Sequence, residues 1–462
     1  MKTKIILMTL DYFFNPRSVA IIGASHTPGK IGYEILANFV GGTYKGKIYP
    51  VNPDTTPILG QKVYTSILDV PDSIDMAVIV VPAKIVPKIL KECVQKRVKG
   101  VIFISAGFSE IGEEGRKLER ECESIIRRTG TRVIGPNVIG VYDSFTQVDT
   151  LFLSRKRCGR PKEGNIAFIS QSGAVGSTIL DWLSEENIGI SKFVSYGNAM
   201  DIDECDLIEY LGNDKKTRVI TAYLEGIKGS SRKFMDICRK VSKRKPIVVL
   251  KAGKTKKGTE AVSSHTGSLA GSGRVYSGAF KQAGIIEADS WEELFDFARA
   301  FSTQPLPKGN RIAIVTDGGG FGVLATDEAE RSGLELPEPS KELKKKISRV
   351  MPSYGILHNP IDLTGDANAE RYRVVIEECL RSKEFDGVIA ITLFQVPTLE
   401  EEVTDYIIQL NKKYKKPILA CAAGGKFSQE LSEKLVSGGV PVYPTPERAV
   451  RAMKALVEYI HF

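Results

Sequence analysis

Short apolar runs rich in β-branched residues recur along the whole chain. They are Val19–Ile22, Met76–Val81, Val101–Ile104, Ile166–Ile169, Val219–Leu224, Pro246–Leu250, Arg311–Val315, Gly387–Ile391 and Pro417–Ala420. The apolar residues are consecutive rather than alternating, which predicts strands covered on both faces, as in parallel sheets. Between them lie charged stretches with apolar residues at helical spacing, such as Val86–Val98 and Ser230–Lys243. Strand–helix alternation of this kind predicts an α/β fold of doubly wound, mostly parallel sheets.

Two segments interrupt the alternation. Leu153–Gly164 (LSRKRCGRPKEG) is charged and aperiodic, and Ser302–Gly309 (STQPLPKG) is proline-rich and stops a helix. They divide the 462 residues into three domains, 1–150, 151–304 and 305–462. The second and third open alike. Asn165-Ile-Ala-Phe-Ile-Ser-Gln-Ser-Gly-Ala-Val-Gly176 can be laid over Arg311-Ile-Ala-Ile-Val-Thr-Asp-Gly-Gly-Gly-Phe-Gly322, each a strand and a small-residue turn, with helices expected from Ser177 and Val323.

Composition narrows the class. With 42% hydrophobic and 26% charged residues the chain is an ordinary globular one. The net charge of +9 is spread over helices, without an arginine-rich tail or an aromatic-interleaved basic patch. Neither nucleic acid nor a membrane is therefore expected as a partner. The seven cysteines form no C-x-x-C pair, which fits reduced thiols rather than disulfides or zinc, and no metal site is expected. The apolar start is broken by Asp11, too early for a signal peptide or a membrane span, and Met8 offers an alternative start. A cytoplasmic location is the expectation.

Four features carry chemistry. Ile21-Ile-Gly-Ala-Ser-His-Thr-Pro-Gly-Lys-Ile-Gly32 follows a strand and opens a helix, where backbone N–H groups can face a phosphate. Its spacing is not G-x-G-x-x-G, and the next strand, Lys47-Ile-Tyr-Pro-Val-Asn52-Pro53, ends in Asn rather than the acid an NAD ribose wants. Asn52 and Lys30 suit coenzyme A, whose ribose carries a phosphate; an ordinary turn without a ligand is the alternative. Ser172-Gly173 and Gly318-Gly319-Gly320 are candidate anion cradles at helix starts, although small residues are common in such turns. Lys251–Gly273 is rich in Gly, Ser, Thr and Lys and is expected to be a long structureless, functional loop. Val248 stands where a Walker A loop needs glycine. Within the segment His265 is the strong nucleophile candidate, able to form a phosphoramidate, or else a histidine used for capping. Glu225 sits just past an apolar strand, where a carboxylate can orient an imidazole or simply be solvated.

Together these residues resemble the nucleoside-diphosphate-forming acyl-CoA synthetase family, which includes succinyl-CoA synthetase and ADP-forming acetyl-CoA synthetase. The marks are Ser264-His265-Thr-Gly267 with Leu269-Ala-Gly271, Leu-Glu225-Gly and Ser170-Gln-Ser-Gly173. Ile134-Gly-Pro-Asn-Val-Ile-Gly140 and Asn359-Pro-Ile-Asp-Leu-Thr-Gly365 support them. The resemblance covers the whole chain in the order of an archaeal acetate-type α subunit: a Rossmann-like CoA-binding domain, then two flavodoxin-like ligase domains. It implies that His265 is phosphorylated and that Glu225 orients it. It implies that Ser172, Gly173, Gly319 and Gly320 bind the phosphate. Coenzyme A or acetyl-CoA would draw on Gly23, Ser25, Lys30, Asn52, Val81, Pro82, Ala83, Ile104, Ser105 and Ala106, with Asn137 near the thioester.

The implied reaction converts acyl-CoA, ADP and phosphate to a small acid, ATP and CoA through an acyl phosphate and a phosphohistidine. No ATP-grasp domain is found in the sequence. ADP or ATP and Mg²⁺ are therefore expected on a separate ATP-grasp β subunit, in an α₂β₂ heterotetramer. Two rival readings remain at this stage. A dehydrogenase would bind NADH but not CoA, and a CoA-responsive regulatory subunit would bind CoA without being phosphorylated.

Overall fold

The computed structural model describes residues 10–266 and 273–462, and leaves the side chains of 263–266 undescribed. The chain forms two compact units, Met1–Trp291 and Glu292–Phe462. All nine expected strands are present, some shifted by a residue or extended at their ends, and Met76–Val81 shortened to Met76–Ile79.

The first unit contains two sheets. The first is built from β1 (Ser18–Ile22), β2 (Lys47–Val51), β3 (Met76–Ile79), β4 (Gly100–Phe103) and β5 (Arg132–Ile134), in the order β2-β1-β3-β4-β5 and parallel throughout. The second uses β6 (Val141–Asp143), β7 (Glu163–Ser170), β8 (Ile190–Ser195), β9 (Val219–Leu224), β10 (Ile247–Lys251) and β11 (Ile285–Ala288), in the order β11-β10-β9-β7-β8-β6. Its only antiparallel pair is β6 with β8, so a strand from the first 150 residues completes the second sheet. The sheet of the second unit comprises β12 (Ile312–Thr316), β13 (Ile361–Asp362), β14 (Gly387–Ile391), β15 (Ile418–Cys421) and β16 (Val442–Tyr443), ordered β13-β12-β14-β15-β16.

Setting β6 aside, all three sheets share one topology: the first strand is flanked by the second and the third. The direction of winding reverses between the first and third strands, at β1/β3, β7/β9 and β12/β14. Ligands of open α/β sheets bind in the crevice at such a reversal, beyond the carboxyl ends of the strands. The internal echo of the sequence is thus a repeat of topology. The helices after β7 and β12 begin at Gly173 and Gly319, four residues before the expected starts at Ser177 and Val323, so the turn glycines belong to the first helical turn.

The two sheets of the first unit share one apolar core, running from Leu10 and Val19 through Ile134 and Ala167 to Ile285. A backbone seam fixes them where β5 ends. Ile202, Met200 and Asn198 donate their N–H groups to the carbonyls of Val133 (3.1 Å), Gly135 (3.0 Å) and Pro136 (3.0 Å). Asp201 accepts from the Val133 N–H at 2.7 Å and from Arg132 Nε, while Arg132 Nη2 reaches Asp206 at 2.9 Å. Gly197, at φ +53°, is packed so closely that a Cβ would overlap the carbonyls of Pro136 and Asn137. Here glycine is required both by φ and by space.

A buried acid shapes the segment after β9. Glu204, wholly buried in the first turn of the helix Glu204–Asn213, accepts from the backbone N–H groups of Lys228 (3.0 Å) and Gly229 (3.3 Å). Burial pushes its carboxyl up to about 6. In the second unit Asn359 plays a comparable bracing part. Its amide bonds to the Ile312 carbonyl (2.8 Å) and the Ile314 N–H (3.0 Å), extending the edge of β12 where β13 is short.

Two outcomes are expected. Gly197→Ala should destabilise the first unit by about 2–3 kcal/mol, through strain at positive φ and overlap at the seam; chemical denaturation measures it. For Glu204, folding raises the pKa of an acid, so the folded state holds the proton more tightly than the unfolded chain. Stability from this group is therefore greatest at low pH and is lost as pH rises from about 4.5 to about 6. The cost above that window is on the order of 2 kcal/mol. Glu204→Gln keeps an acceptor and removes the charge, so it should raise the melting temperature relative to the unsubstituted chain more at pH 7.5 than at pH 5. Thermal melts at the two pH values check the sign.

Candidate active site

The first crevice, at β1/β3, gathers the residues expected to hold coenzyme A. Gly23, at φ +92°, passes so close to the Val80 carbonyl that no side chain fits, and Gly32 lets the helix Ile31–Val40 lie against Gly23. The loops are tied to one another across the carboxyl edge of the sheet. Asn52 Nδ2 donates to the Ala24 carbonyl at 2.6 Å, and its Oδ1 accepts from the Asp54 N–H at 2.8 Å. Ser25 Oγ accepts from the Thr27 N–H. Ser105 Oγ donates to the Val81 carbonyl at 2.5 Å, and the Asn137 N–H to the Ser105 carbonyl at 3.0 Å. Gly23, Ser25, Asn52, Val81–Ala83, Ile104–Ala106 and Asn137 thus lie along one edge, with Lys30 exposed at the N-cap of the helix. Asn52 is committed to its own loop and to Ala24, so its side chain shapes this edge.

Asn137 stands exposed at φ +62° and donates at 3.5 Å to Asn198 Oδ1. The Asn198 amide donates in turn to Glu110 (2.7 Å) and Glu119 (3.1 Å). Asn198, Glu110 and Glu119 are part of this constellation although no motif points to them. They become visible only when the Gly197 turn is folded over the Pro136 loop.

The second crevice, at β7/β9, holds Ser172, Gly173 and Glu225. Ser172 caps the helix Gly173–Glu185 by accepting from the Val175 N–H, and the other first-turn N–H groups, which have no partner within the helix, can favour an anion. Glu225 is buried at 8% exposure directly after β9. Its backbone is held from both neighbouring strands. Gln171 Oε1 accepts from the N–H groups of Glu225 (2.7 Å) and Gly226 (3.1 Å), and Lys251 Nζ donates to the Glu225 carbonyl (2.9 Å). Tyr223 is pushed up to about 12 by burial and by Glu225 beside it. Tyr196 is wholly buried, its phenol pushed well up by burial and then by Glu204 and Glu225. The cations nearby are Lys251 and Lys228, both pushed down by burial, with Glu225 acting in the opposite sense on each.

The segment after β10 departs from expectation. Residues 256–266 form a helix, so His265 lies on helical backbone in its last turn rather than in a structureless loop. The His265 side chain and Gly267–Gly271 of the same motif lie outside the described residues. The helix emerges from the strand beside the one that carries Glu225.

In the third crevice, at β12/β14, Gly319 and Gly320 open the helix Gly319–Arg331, and a Cβ on Gly320 would meet open space. The charge differs from that at Ser172–Gly173. Asp317 is buried there, its carboxyl raised by desolvation, and Asp362 Oδ2 would lie 2.8 Å from a Cβ on Gly319. Two carboxylates offset part of what the helix start offers an anion. Among the described residues no cluster of His, Cys, Asp and Glu is placed to hold a metal ion, and no helix is long and apolar enough to cross a membrane.

Comparison with known proteins covers the full chain. Family models match in order: a CoA binding domain over residues 17–144, a succinyl-CoA ligase like flavodoxin domain over 163–301 and a Ligase-CoA domain over 312–460. The acetate–CoA ligase [ADP-forming] I subunit alpha of Pyrococcus furiosus is 45% identical over 462 residues, covering 98% of both chains. The acetate–CoA ligase [ADP-forming] of Methanocaldococcus jannaschii is 43% identical, matching 97% of this chain but 63% of that longer protein. Among solved structures, the acetyl-coenzyme A synthetase 1 of Ca. Korarchaeum cryptofilum, in complex with phosphate and ADP, superimposes with a TM-score of 0.92 at 39% identity, over 98% of this chain and 97% of the other. The three family matches and the full-length identities carry one conclusion: the chain belongs to the ADP-forming acetate–CoA ligase α subunits of the succinyl-CoA synthetase superfamily, and it is a CoA ligase.

Proposed function

We propose that the chain reversibly converts an acyl-CoA, acetyl-CoA by analogy with its relatives, with ADP and phosphate to acid, ATP and CoA, together with a partner that holds the nucleotide. The observation that carries the reading is Glu225, a carboxylate buried at the β7/β9 crevice beside a helix start. Its backbone is fixed from both sides, and the helix bearing His265 emerges from the adjacent strand.

Coenzyme A lies along the carboxyl edge of the first sheet, with its phosphates toward the Gly23 turn and Lys30 and its thioester toward Asn137. Gly23 fits this use because its positive φ and its close approach to Val80, which only glycine allows, set the turn that leads into the helix Ile31–Val40, whose start can face an anion. Phosphate at Ser172 and Gly173 attacks the thioester carbonyl. The C–S bond breaks, CoA leaves as the thiol, and an acyl phosphate forms. The neutral His265 imidazole then attacks phosphorus, the P–O bond to the acyl group breaks, and the carboxylate departs. Glu225 holds the opposite ring nitrogen, fixing the tautomer and meeting the positive charge that develops on the ring. The helix start at Ser172–Gly173 offers its free N–H groups to the transferring phosphoryl oxygens. Gly319 and Gly320 are the second unit's anion contact, weaker alone because of Asp317 and Asp362.

ADP, with Mg²⁺, accepts the phosphoryl group from His265 on an ATP-grasp β subunit, in a cytoplasmic α₂β₂ assembly. The M. jannaschii relative supports a two-part enzyme, since this chain matches only part of its length. The chain with its β partner, incubated with Mg²⁺ and γ-³²P-ATP, is expected to acquire acid-labile, base-stable label that His265→Ala abolishes. Equal label in both would overturn the phosphohistidine.

A further inference from the structure

The residues around Glu225 carry more than the reading above uses. The echo between the second and third domains extends to the bonds. Ser170 Oγ donates to the Ser172 carbonyl at 2.7 Å, and Thr316 Oγ1 donates to the Gly318 carbonyl at 3.1 Å. One residue on, Gln171 accepts from the Glu225 and Gly226 N–H groups, and Asp317 accepts from the Leu393 N–H at 3.0 Å. The strand registers agree. Ser170 pairs with Tyr223 and Thr316 with Ile391, so Glu225 and Leu393 each stand two residues beyond an equivalent pair. The same frame therefore carries a carboxylate in one copy and an apolar residue in the other.

The frame differs in charge. Where the copy holding Leu393 uses a carboxylate acceptor, the copy holding Glu225 uses a neutral amide. The amide leaves a defect. Gln171 is 95% buried, and its Nε2 is a buried donor without a partner among the described residues. A flipped amide would set its NH₂ against two N–H donors, so the bonding fixes the orientation and the stranded donor with it. A carboxylate could accept the same two bonds and would carry no donor to strand, as Asp317 carries none in accepting from Leu393, but it would place a second negative charge beside Glu225. On the other side of β9 stands Lys251, at 2% exposure. Its ammonium donates to the carbonyls of Glu225 and Ala252 and lies 4.5 Å from the centre of the Tyr276 ring. Among the described residues no carboxylate lies within ion-pair distance of it. Lys251 thus brings a positive charge to the same turn, and the copy holding Leu393 has Ala422 at the equivalent position, one residue beyond Cys421, which pairs with Ile391 as Leu250 pairs with Tyr223.

We propose that Gln171 and Lys251 are positioning residues for phosphoryl transfer, which set the bearing of the Glu225 carboxylate through its backbone N–H and C=O, and that Gln171 must be a neutral acceptor because the crevice receives an anionic phosphoryl group. The inference rests on the roles given to Glu225 and His265 above.

Rapid-quench measurement of ³²P transfer to acetate from the chain, prelabelled by γ-³²P-ATP and its β partner, tests it, with the steady-state dependence on CoA measured alongside. Gln171→Met keeps the volume and removes the acceptor. It should slow that transfer about 10- to 100-fold, the cost of a small misplacement, while the KM for CoA stays within about twofold. In a Glu225→Gln background the same substitution should cost less than about threefold more, because its effect passes through Glu225. Lys251→Met should behave likewise, with Lys251→Arg recovering most of the rate. Equal factors in both backgrounds, or a loss confined to CoA binding, would overturn the inference. If Gln171→Met does not fold, Gln171→Glu carries the test. It keeps the acceptor and adds a charge, so a slowed rate supports the inference and an unchanged rate overturns it. A Glu225→Gln chain that passes its label to acetate at the normal rate, while His265→Ala takes up none, would instead remove the orienting role of Glu225.

Discussion

The arrangement of the first unit depends on the backbone seam between residues 133–136 and 198–202. Three N–H groups cross from one sheet's segment to the carbonyls of the other. A buried backbone group left unpaired is costly, so the two loops must move together or not at all. The Arg132–Asp201–Asp206 bonds give the seam its register, and Gly197 gives it the clearance. Asn137, at the end of the first sheet, is thereby brought to Asn198, at the start of the segment that leads into the Glu204 helix. Glu204 in turn holds the N–H groups of residues 228 and 229, just past Glu225. The proposed thioester end of one crevice and the proposed phosphoryl end of the next are joined by a short series of hydrogen bonds.

The fold was largely legible in the sequence because its strands are covered on both faces and so read as unbroken apolar runs. What escaped were strands of a different kind. Arg132–Ile134 and Val141–Asp143 span three residues each, and Ile361–Asp362 and Val442–Tyr443 two, too short for a periodicity to register. Ile190–Ser195 is interrupted by Lys192, which is buried against Asp143 and Asp214 and breaks the apolar run. The helix at 256–266 was missed for the reason that drew notice to the segment. Its glycine, threonine and serine content is poor in helix formers, and context prevails over such propensities.

The candidate site was legible as residues but not as a network. Glu225 and the Ser172–Gly173 turn follow from the rule that open sheets act at their carboxyl edges. Gln171 lay inside a motif already noticed, and Lys251 at the margin of another. Their significance depends on which backbone groups they meet, and that is fixed by strand order. Glutamine and lysine at strand ends are unremarkable until β7, β9 and β10 are known to be neighbours. Asn198 and Glu110 required the seam itself.

Strand β6 has a consequence for how the chain came to be divisible. It precedes the charged stretch Leu153–Gly164, yet it pairs antiparallel with β8 and covers what would be an open edge of the second sheet. An uncovered edge presents a row of free N–H and C=O groups, a template for pairing with another molecule. The CoA-binding portion thus lends its neighbour a protective border. A fragment cut at the apparent linker would keep every residue of the Glu225 crevice and still be prone to self-association, so the second portion is best expressed with β6 attached.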